Sequence, residues 1–189
     1  MPDLMVDVIT SLDGYSAAEG WPGLWGMGGP EYFEWLGEDS AGRFTTLMGA
    51  TTYRLFAGFE ESGEEDLSEL TAMDKVVFSN TLAEPLSWAN TRLVTGDAVD
   101  AVREMKADGD KPLRTIGSPT LCRSLLAAGL VDKLRTVVFP VVTGRTGQDP
   151  FYAGWPDVAL DTVQHRTFDG RLQMMEYLPT VLDGPPAHD

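Results

Sequence analysis

Cysteine is nearly missing from this chain: of 189 residues only Cys122 is one, and histidine occurs twice. A single thiol cannot build an internal disulfide framework and suits a reducing, cytoplasmic setting. Two histidines are too few for a histidine-rich metal site. Basic residues are also scarce, with 14 Lys and Arg against 29 Asp and Glu, for a net charge of −15. Generic binding to nucleic acid or to an anionic membrane surface needs a positive field, so this balance argues against both. No apolar run approaches the roughly 18 residues that cross a bilayer. The opening MPDLMVDVITSLDG lacks a basic segment followed by an apolar one and a cleavage site, so no signal peptide is expected. What remains is ordinary for a folded chain, 43% hydrophobic and 10% aromatic. That fits a single domain, expected over residues 1–180 with a flexible tail at 181–189. A cytoplasmic enzyme and an acidic binding module both stay open.

Strand-like and helix-like segments alternate along most of the sequence. Residues 4–10 read as a buried strand closed by the turn Asp13-Gly14. Residues 30–36 predict a helix with Pro30 in its first turn. A strand at 43–48 leads through Gly49 into a short helix at 51–56, and further strands are expected at 74–79 and 91–95. Asp97 is placed to N-cap a helix running to residue 107, with Ala98, Val102 and Met105 along one face. A strand at 113–116 precedes a helix at 119–128 that Gly129 stops. The long apolar strand 134–142 is followed by two more, 158–168 and 171–178, around the hairpin signal Asp169-Gly170. Alternation implies parallel crossovers with helices on both faces, and the last hairpin adds an antiparallel edge, which makes an α/β fold with a mixed sheet. Two acidic or turn-rich stretches, residues 60–69 and 183–189, are read as poorly ordered.

Three turns carry residues with chemistry. In LMGATTY, Gly49 ends a strand and Thr51 and Thr52 open a helix. Glycine there lets the backbone approach a ligand, and the free N–H groups and helix dipole favour phosphate. The same pattern is also an ordinary hydroxyl-capped turn. In IGSPTL, Gly117 ends a strand, Ser118 suits an N-cap and Pro119 the first helical position, leaving the N–H groups of Thr120 and Leu121 free. Two such turns after strands of one sheet frame a place for a dinucleotide pyrophosphate, although neither has the G-x-G-x-x-G spacing. In TSLDGY, Thr10, Ser11 and Asp13 lie where a strand opens at the sheet's end, a ligand-binding position that is equally a plain turn.

The succession TSLDGY, LMGATTY, FSNTL and IGSPTLCRSLLAAGLVDKLRTVVFPVVTGRTG, closed by the hairpin, resembles the dihydrofolate-reductase-like superfamily. It is most similar there to the reductase-domain family of riboflavin-biosynthesis deaminase-reductases, including its stand-alone members. The resemblance covers residues 4–178, and its most specific stretch is 125–144. The histidine and paired cysteines of a zinc deaminase are missing. The resemblance implies a three-layer fold around a mostly parallel sheet of about eight strands with an antiparallel C-terminal hairpin. It implies NADPH as cofactor, a homodimer, and hydride transfer to a ribosylamino-pyrimidine or related small heterocycle. Carried over by position, Gly49, Ala50, Thr51 and Thr52 would hold the adenine-side phosphates. Ser79, Asn80 and Thr81 would lie near the adenosine ribose and its 2′-phosphate. Gly117, Ser118, Pro119 and Thr120 would meet the pyrophosphate and nicotinamide ribose, with Thr10, Ser11 and Asp13 bordering the nicotinamide. Two departures stand out. Ala50 replaces a basic residue common in relatives, which leaves two readings open: Arg54 one helical turn on substitutes for it, or the preference for NADP is weakened. Ser118 replaces the second of two successive glycines.

Reduction also needs a proton. Dihydrofolate reductases proper place a carboxylate on the first helix, where the candidates here are Glu31 and Glu34, with Asp13 as the other. The two glutamates read equally as solvated charges that complement a helix dipole. Trp21, Trp25 and the glycines between Trp21 and Pro30 suggest either a lid over a planar substrate or a loop anchored in the core. Arg145 reads as a phosphate contact or a surface arginine, and Cys122 as a core thiol. Dihydrofolate reduction and a non-catalytic NADP(H) sensor are the competing functions.

Overall fold

In the computed structural model, which describes residues 1–20, 24–40, 43–63 and 67–185, the elements run in the following order. The chain enters through β1 (Leu4–Ser11) and β2 (Tyr15–Ala18), makes a short 3-10 turn at Leu24–Gly26, and forms α1 (Pro30–Ser40). Next come β3 (Thr45–Gly49), α2 (Ala50–Ser62), α3 (Ser68–Ala72), β4 (Lys75–Phe78) and β5 (Thr91–Val94). The second half contains α4 (Ala98–Asp108), β6 (Leu113–Thr115), α5 (Pro119–Ala127), β7 (Lys133–Phe139), β8 (Gly147–Pro150), β9 (Val158–Phe168) and β10 (Leu172–Val181). Among the described residues no helix is long and apolar enough to cross a membrane.

Side-chain alternation along the strands sets the layers. Leu4, Val6 and Val8 of β1 face Val102 of α4 and Leu121, Cys122 and Leu125 of α5. Ile9 points the other way and packs with Tyr32 and Trp35 of α1. Met48 and Val77 meet Tyr53 and Ala57 of α2 on that same second face. The eight-stranded sheet has the order β5-β4-β3-β6-β1-β7-β10-β9. The first six strands in that order are parallel, and β10 joins β7 antiparallel. The layers and the hairpin are those expected.

Strand order also fixes where a ligand can enter. The chain leaves β3 through α2 on one face towards β4, whereas it leaves the neighbouring β6 through α5 on the other face towards β7. Two adjacent connections that part in opposite directions open a crevice beyond the carboxyl ends of their strands.

Several boundaries differ from the sequence reading for physical reasons. Helix α2 continues through Glu60 and Glu61 to Ser62, because glutamate is a good helix former and Gly63, at φ 65°, closes the helix in the left-handed region. Glu60 also accepts a hydrogen bond from the Thr71 hydroxyl at 2.9 Å. Residues 64–66 of that acidic stretch, and 186–189 of the tail with His188, lie outside the described residues. Strand β10 runs on through Val181, one residue into the segment expected as tail. A ribbon of β2 and β8, unexpected from composition, pairs antiparallel through Tyr15 with Pro150 and Ala18 with Gly147.

The hairpin turn is built into the helical layer. Asp169 and Gly170 both have positive φ, 50° and 65°, the geometry the sequence signal demands. The Asp169 carboxylate accepts the N–H groups of Glu31 at 3.1 Å and Tyr32 at 3.2 Å, while the Glu31 carboxylate accepts the Asp169 N–H at 2.7 Å. The first turn of α1 is thus capped from a residue far along the chain. Glycine tolerates the turn's φ, so Asp169→Gly isolates the caps. It is expected to cost about 1–2 kcal/mol and to lower Tm by several degrees in thermal circular dichroism. An unchanged Tm would show that the caps contribute nothing.

Candidate functional site

The two glycine turns expected to form a cradle meet at the crevice between β3 and β6. Gly49 is the N-cap of α2 with extended backbone, and its N–H donates to Ser118 Oγ at 2.7 Å. Ser118 Oγ lies 2.8 Å from Thr52 Oγ1 as well. Both Gly117, at φ 55°, and Ser118, at φ 62° and ψ 67°, are left-handed. Two successive residues in that region are cheap only for glycine, which gives the Gly-Gly pattern of the resemblance a backbone cause. Ser118 stands at the N-cap position of α5 but does not cap it, because its hydroxyl is drawn across to the other turn. Close packing leaves little slack. A Cβ on Gly49 would come within 3.3 Å of Ser118 Oγ, and one on Gly117 within 3.2 Å of Thr52 Oγ1.

Beyond this contact both helices present unpaired N–H groups. In α5 the first intrahelical bond is from Cys122 N–H to the Ser118 carbonyl, 3.0 Å. Thr120 and Leu121 therefore keep their donors, as Ala50, Thr51 and Thr52 do in the first turn of α2. Both helix N-termini also carry positive dipole ends.

A polar corner flanks the cradle. Arg54 Nη2 reaches Thr81 Oγ1 at 3.5 Å, and Ser79 Oγ accepts the N–H groups of Thr81 and Leu82, each at 3.1 Å. Asn80 Oδ1 accepts the Gly96 N–H at 2.7 Å, which ties the turn after β4 to the turn after β5.

Residues 49–52, 79–80 and 117–120 all line one cavity of about 1220 Å³. That exceeds the roughly 300–1,000 Å³ usual for a single-ligand site and gives room for two molecules side by side. Its other arm runs beneath α1, walled by Ile9, Tyr32, Phe33, Trp35 and Leu36, with Asp7 and Arg114 also in its lining.

The three carboxylates expected to supply a proton are not in this lining. Asp13 is spent on a loop: its Oδ2 accepts the Gly144 N–H at 2.7 Å, and its Oδ1 accepts the Ser11 hydroxyl at 2.6 Å and the Thr143 N–H at 3.1 Å. These bonds, that from Ser11 foremost, hold its carboxyl near a pKa of about 2, so it stays ionised. Glu31 is bonded to the hairpin turn, and Glu34 is exposed on α1. Thr10, though buried, is also outside the lining, as are Arg54 and Thr81. Trp25 packs on Phe139 with ring centroids 5.4 Å apart, which favours the anchored-loop reading at that residue, while Trp21 lies outside the described residues. Arg145 is exposed. Cys122 is a core thiol, which burial pushes up to about 12.

Two charged residues of the lining, Asp7 and Arg114, belong to a buried network that sequence reasoning missed. Across one face of the sheet run Arg114 of β6, Asp7 of β1, Arg135 of β7 and Glu176 of β10, with Asp39 of α1 set over them. Arg135 pairs with Asp39 at 2.6 Å, Asp7 at 3.5 Å and Glu176 at 3.7 Å. Arg114 pairs with Asp39 at 3.1 Å and Asp7 at 3.8 Å. Burial raises the Asp7 pKa, an effect that Arg135 and Arg114 partly offset. A signal existed in the sequence, since Asp7 and Arg135 interrupt segments that are otherwise apolar.

The arrangement is that of the dihydrofolate-reductase-like fold. Dihydrofolate reductase from Enterococcus faecalis, complexed with NADP(H), superposes with a TM-score of 0.60 at 13% identity over 94% of this chain and 96% of that one. More narrowly, the RibD C-terminal domain model matches residues 2–174, so the chain belongs to that family. Among solved structures, a putative riboflavin biosynthesis protein from Shewanella sp. PV-4 gives a TM-score of 0.76 at 23% identity, over 94% of this chain and 99% of that one. The deaminase/reductase of Thermotoga maritima gives 0.68 at 15% identity, over 95% of this chain and 57% of that one. No curated protein matches in sequence.

Two outcomes follow from the site's geometry. Ser118→Gly removes the bridge but relieves a left-handed serine that costs about 1–2 kcal/mol. It is expected to hold Tm within a few degrees and to weaken nicotinamide dinucleotide binding, read by fluorescence titration, because the bond that fixes the two turns relative to one another is lost. Unchanged or tighter binding would show that the bridge does not preorganise the site. Asp13 has a depressed folded-state pKa, so its contribution to stability is present above the ordinary carboxylate range and is lost as pH falls from about 4 towards 2. Urea unfolding of Asp13→Asn against wild type should show a deficit at pH 6 that shrinks below pH 4. A deficit independent of pH would contradict the clamp.

Proposed function

We propose that the chain is an NADPH-dependent reductase of the riboflavin-biosynthesis type, acting on a small heterocycle. The observation that carries this reading is the meeting of the two glycine turns at the topological switch point, inside the large cavity. The residues present fit a dinucleotide. The open N–H groups of residues 50–52 and of Thr120 suit its phosphates, and the absence of a side chain at Gly49 lets the cofactor approach the backbone. Arg54 with Thr81 and Ser79 suits a 2′-phosphate at the outer corner, which offsets the alanine at position 50. The bound nicotinamide would supply the hydride. The chain's own contribution is orientation and the exclusion of water by the aromatic wall of α1.

Titration with NADPH and NADH, followed by nicotinamide fluorescence and tryptophan quenching, tests this reading. NADPH is expected to bind in the micromolar range and NADH much more weakly. Arg54→Ala should cost NADPH about tenfold or more, the worth of one charge-assisted hydrogen bond, and leave NADH unchanged. Binding of neither nucleotide would overturn the reductase reading, and an equal loss for both would remove Arg54 from the 2′-phosphate corner.

A further inference from the structure

Lysine is rarely found inside a sheet, yet Lys75 opens β4 with only 2% of its surface exposed. Its neighbour Asp74 pairs with Lys111 at 2.9 Å, and among the described residues no ion pair joins Lys75 to a carboxylate. Its Nζ instead donates to three backbone carbonyls, those of Leu70 at 2.8 Å, Thr71 at 2.9 Å and Met73 at 2.8 Å. An ammonium has three N–H donors, so all of them are used. The Trp88 ring lies over the group, with its centroid 4.6 Å from Nζ. Burial pulls the lysine pKa down to about 8 against the opposing pull of Asp74 and Glu60, so at neutral pH the amine is still charged.

A buried charge met only by dipoles and a ring is costly. The carbonyls show what it holds. They end α3, a helix of five residues without a side-chain N-cap. So short a helix does not sustain itself, and its last carbonyls go short of partners within it. Lys75 supplies them from the next strand. Two lesser ties join it, from Trp88 Nε1 to Thr71 Oγ1 at 2.8 Å and from Asn90 Nδ2 to the Thr71 carbonyl at 3.0 Å. On the ligand side, Leu67, Leu70 and Met73 line the cavity. Glu69 of the same helix stands beside α1, since a Cβ on Gly37 would come within 3.7 Å of its carboxylate.

We infer that Lys75 is a positioning residue of the site: its ammonium, fixed among the carbonyls of Leu70, Thr71 and Met73, holds α3 as a wall of the arm beyond the cofactor. Lys75 is not in the cavity lining, so it acts through Leu70 and Met73, whose carbonyls it holds and whose side chains reach the cavity. The inference deepens the reductase reading and rests on it only for what the two arms take. Charge-assisted bonds from an ammonium to three fixed carbonyls form an ion site, which should accept a free ammonium once the side chain is cut away.

The test is chemical rescue. Lys75→Ala keeps the Cβ and removes the atoms that n-propylammonium replaces. Amide hydrogen exchange at Thr71 and Met73, which donate to the Leu67 and Leu70 carbonyls, and the methyl resonances of Leu70 and Met73 report on the wall by NMR. The amides of Met48 and Val77 report on the sheet. In the variant, exchange at Thr71 and Met73 is expected to speed up about tenfold or more and the two methyls to shift, with Met48, Val77 and the affinity for NADPH unchanged. n-Propylammonium should reverse both effects. n-Propanol, which lacks the charge, and tetramethylammonium, which lacks N–H groups, should not. Unchanged exchange in α3, an equal loss in the sheet, a changed NADPH affinity, absence of rescue, or equal rescue by either control would overturn the inference. If Lys75→Ala does not fold, the wild type decides: its Lys75 ammonium should give a resolved 15N resonance in slow exchange with water, and a signal averaged with those of surface lysines would overturn the inference. Failure of wild-type protein to bind NADPH would strike the reductase reading and leave the α3 measurements intact.

Discussion

Everything at the functional end of this molecule depends on one hydrogen-bonded contact, in which the Ser118 hydroxyl joins the turn after β6 to the turn after β3. The constraint behind it is topological. Chains leaving two adjacent parallel strands towards opposite faces must part, and the gap they leave is the natural entrance for a ligand. Ser118 closes the base of that gap by taking the Gly49 N–H and meeting Thr52. It does so from a left-handed backbone that a serine adopts only when its surroundings compel it. The open N–H groups of both helices are held at a fixed separation as a result, which is the preorganisation that the proposed binding of a flexible pyrophosphate would draw on.

A second constraint lies beneath α1. Charges buried in a sheet are expensive, and their mutual attraction offsets that cost only when the geometry is good. Here Asp39 reaches both Arg114 and Arg135 from the last turn of α1, so the helix is fixed over the sheet by charge as well as by the rings of Tyr32 and Trp35. The Trp35 indole lies 5.1 Å from the Arg135 guanidinium, a cation–π contact that covers the pair from water. Asp7 and Arg114 are the members of this network that also line the cavity.

Much of the fold was legible in the sequence because local and global signals agree. Asp97 caps α4 through the N–H groups of Val99 and Asp100 as its position suggests, and Asp169-Gly170 makes the hairpin. The two glycine turns were likewise visible, since Gly and Ser-Pro mark the ends of apolar strands. Less was legible where distant residues decide the outcome. Nothing in YSAA or GQDP signals a strand; they pair because the Asp13 clamp brings the two loops together. Ser118 resembles an ordinary N-cap until the other turn is placed beside it. For Glu31 and Glu34 the resemblance suggests a proton donor and the residues themselves a solvated helix-dipole charge; the chain turns one to the hairpin and the other to solvent. The row of charges was obscured by its apolar context, since single residues such as Asp7 and Arg135 reveal their partners only across strands.

Backbone amide chemical shifts, followed by heteronuclear NMR as NADPH is added, would locate the dinucleotide directly. The account predicts the largest changes at residues 50–52, 79–81 and 120–121, with those at Lys75 and Arg92, at the opposite ends of the strands, near zero. Shifts concentrated at the far ends of the strands, or spread evenly over the surface, would contradict a cofactor site built on the Ser118 contact.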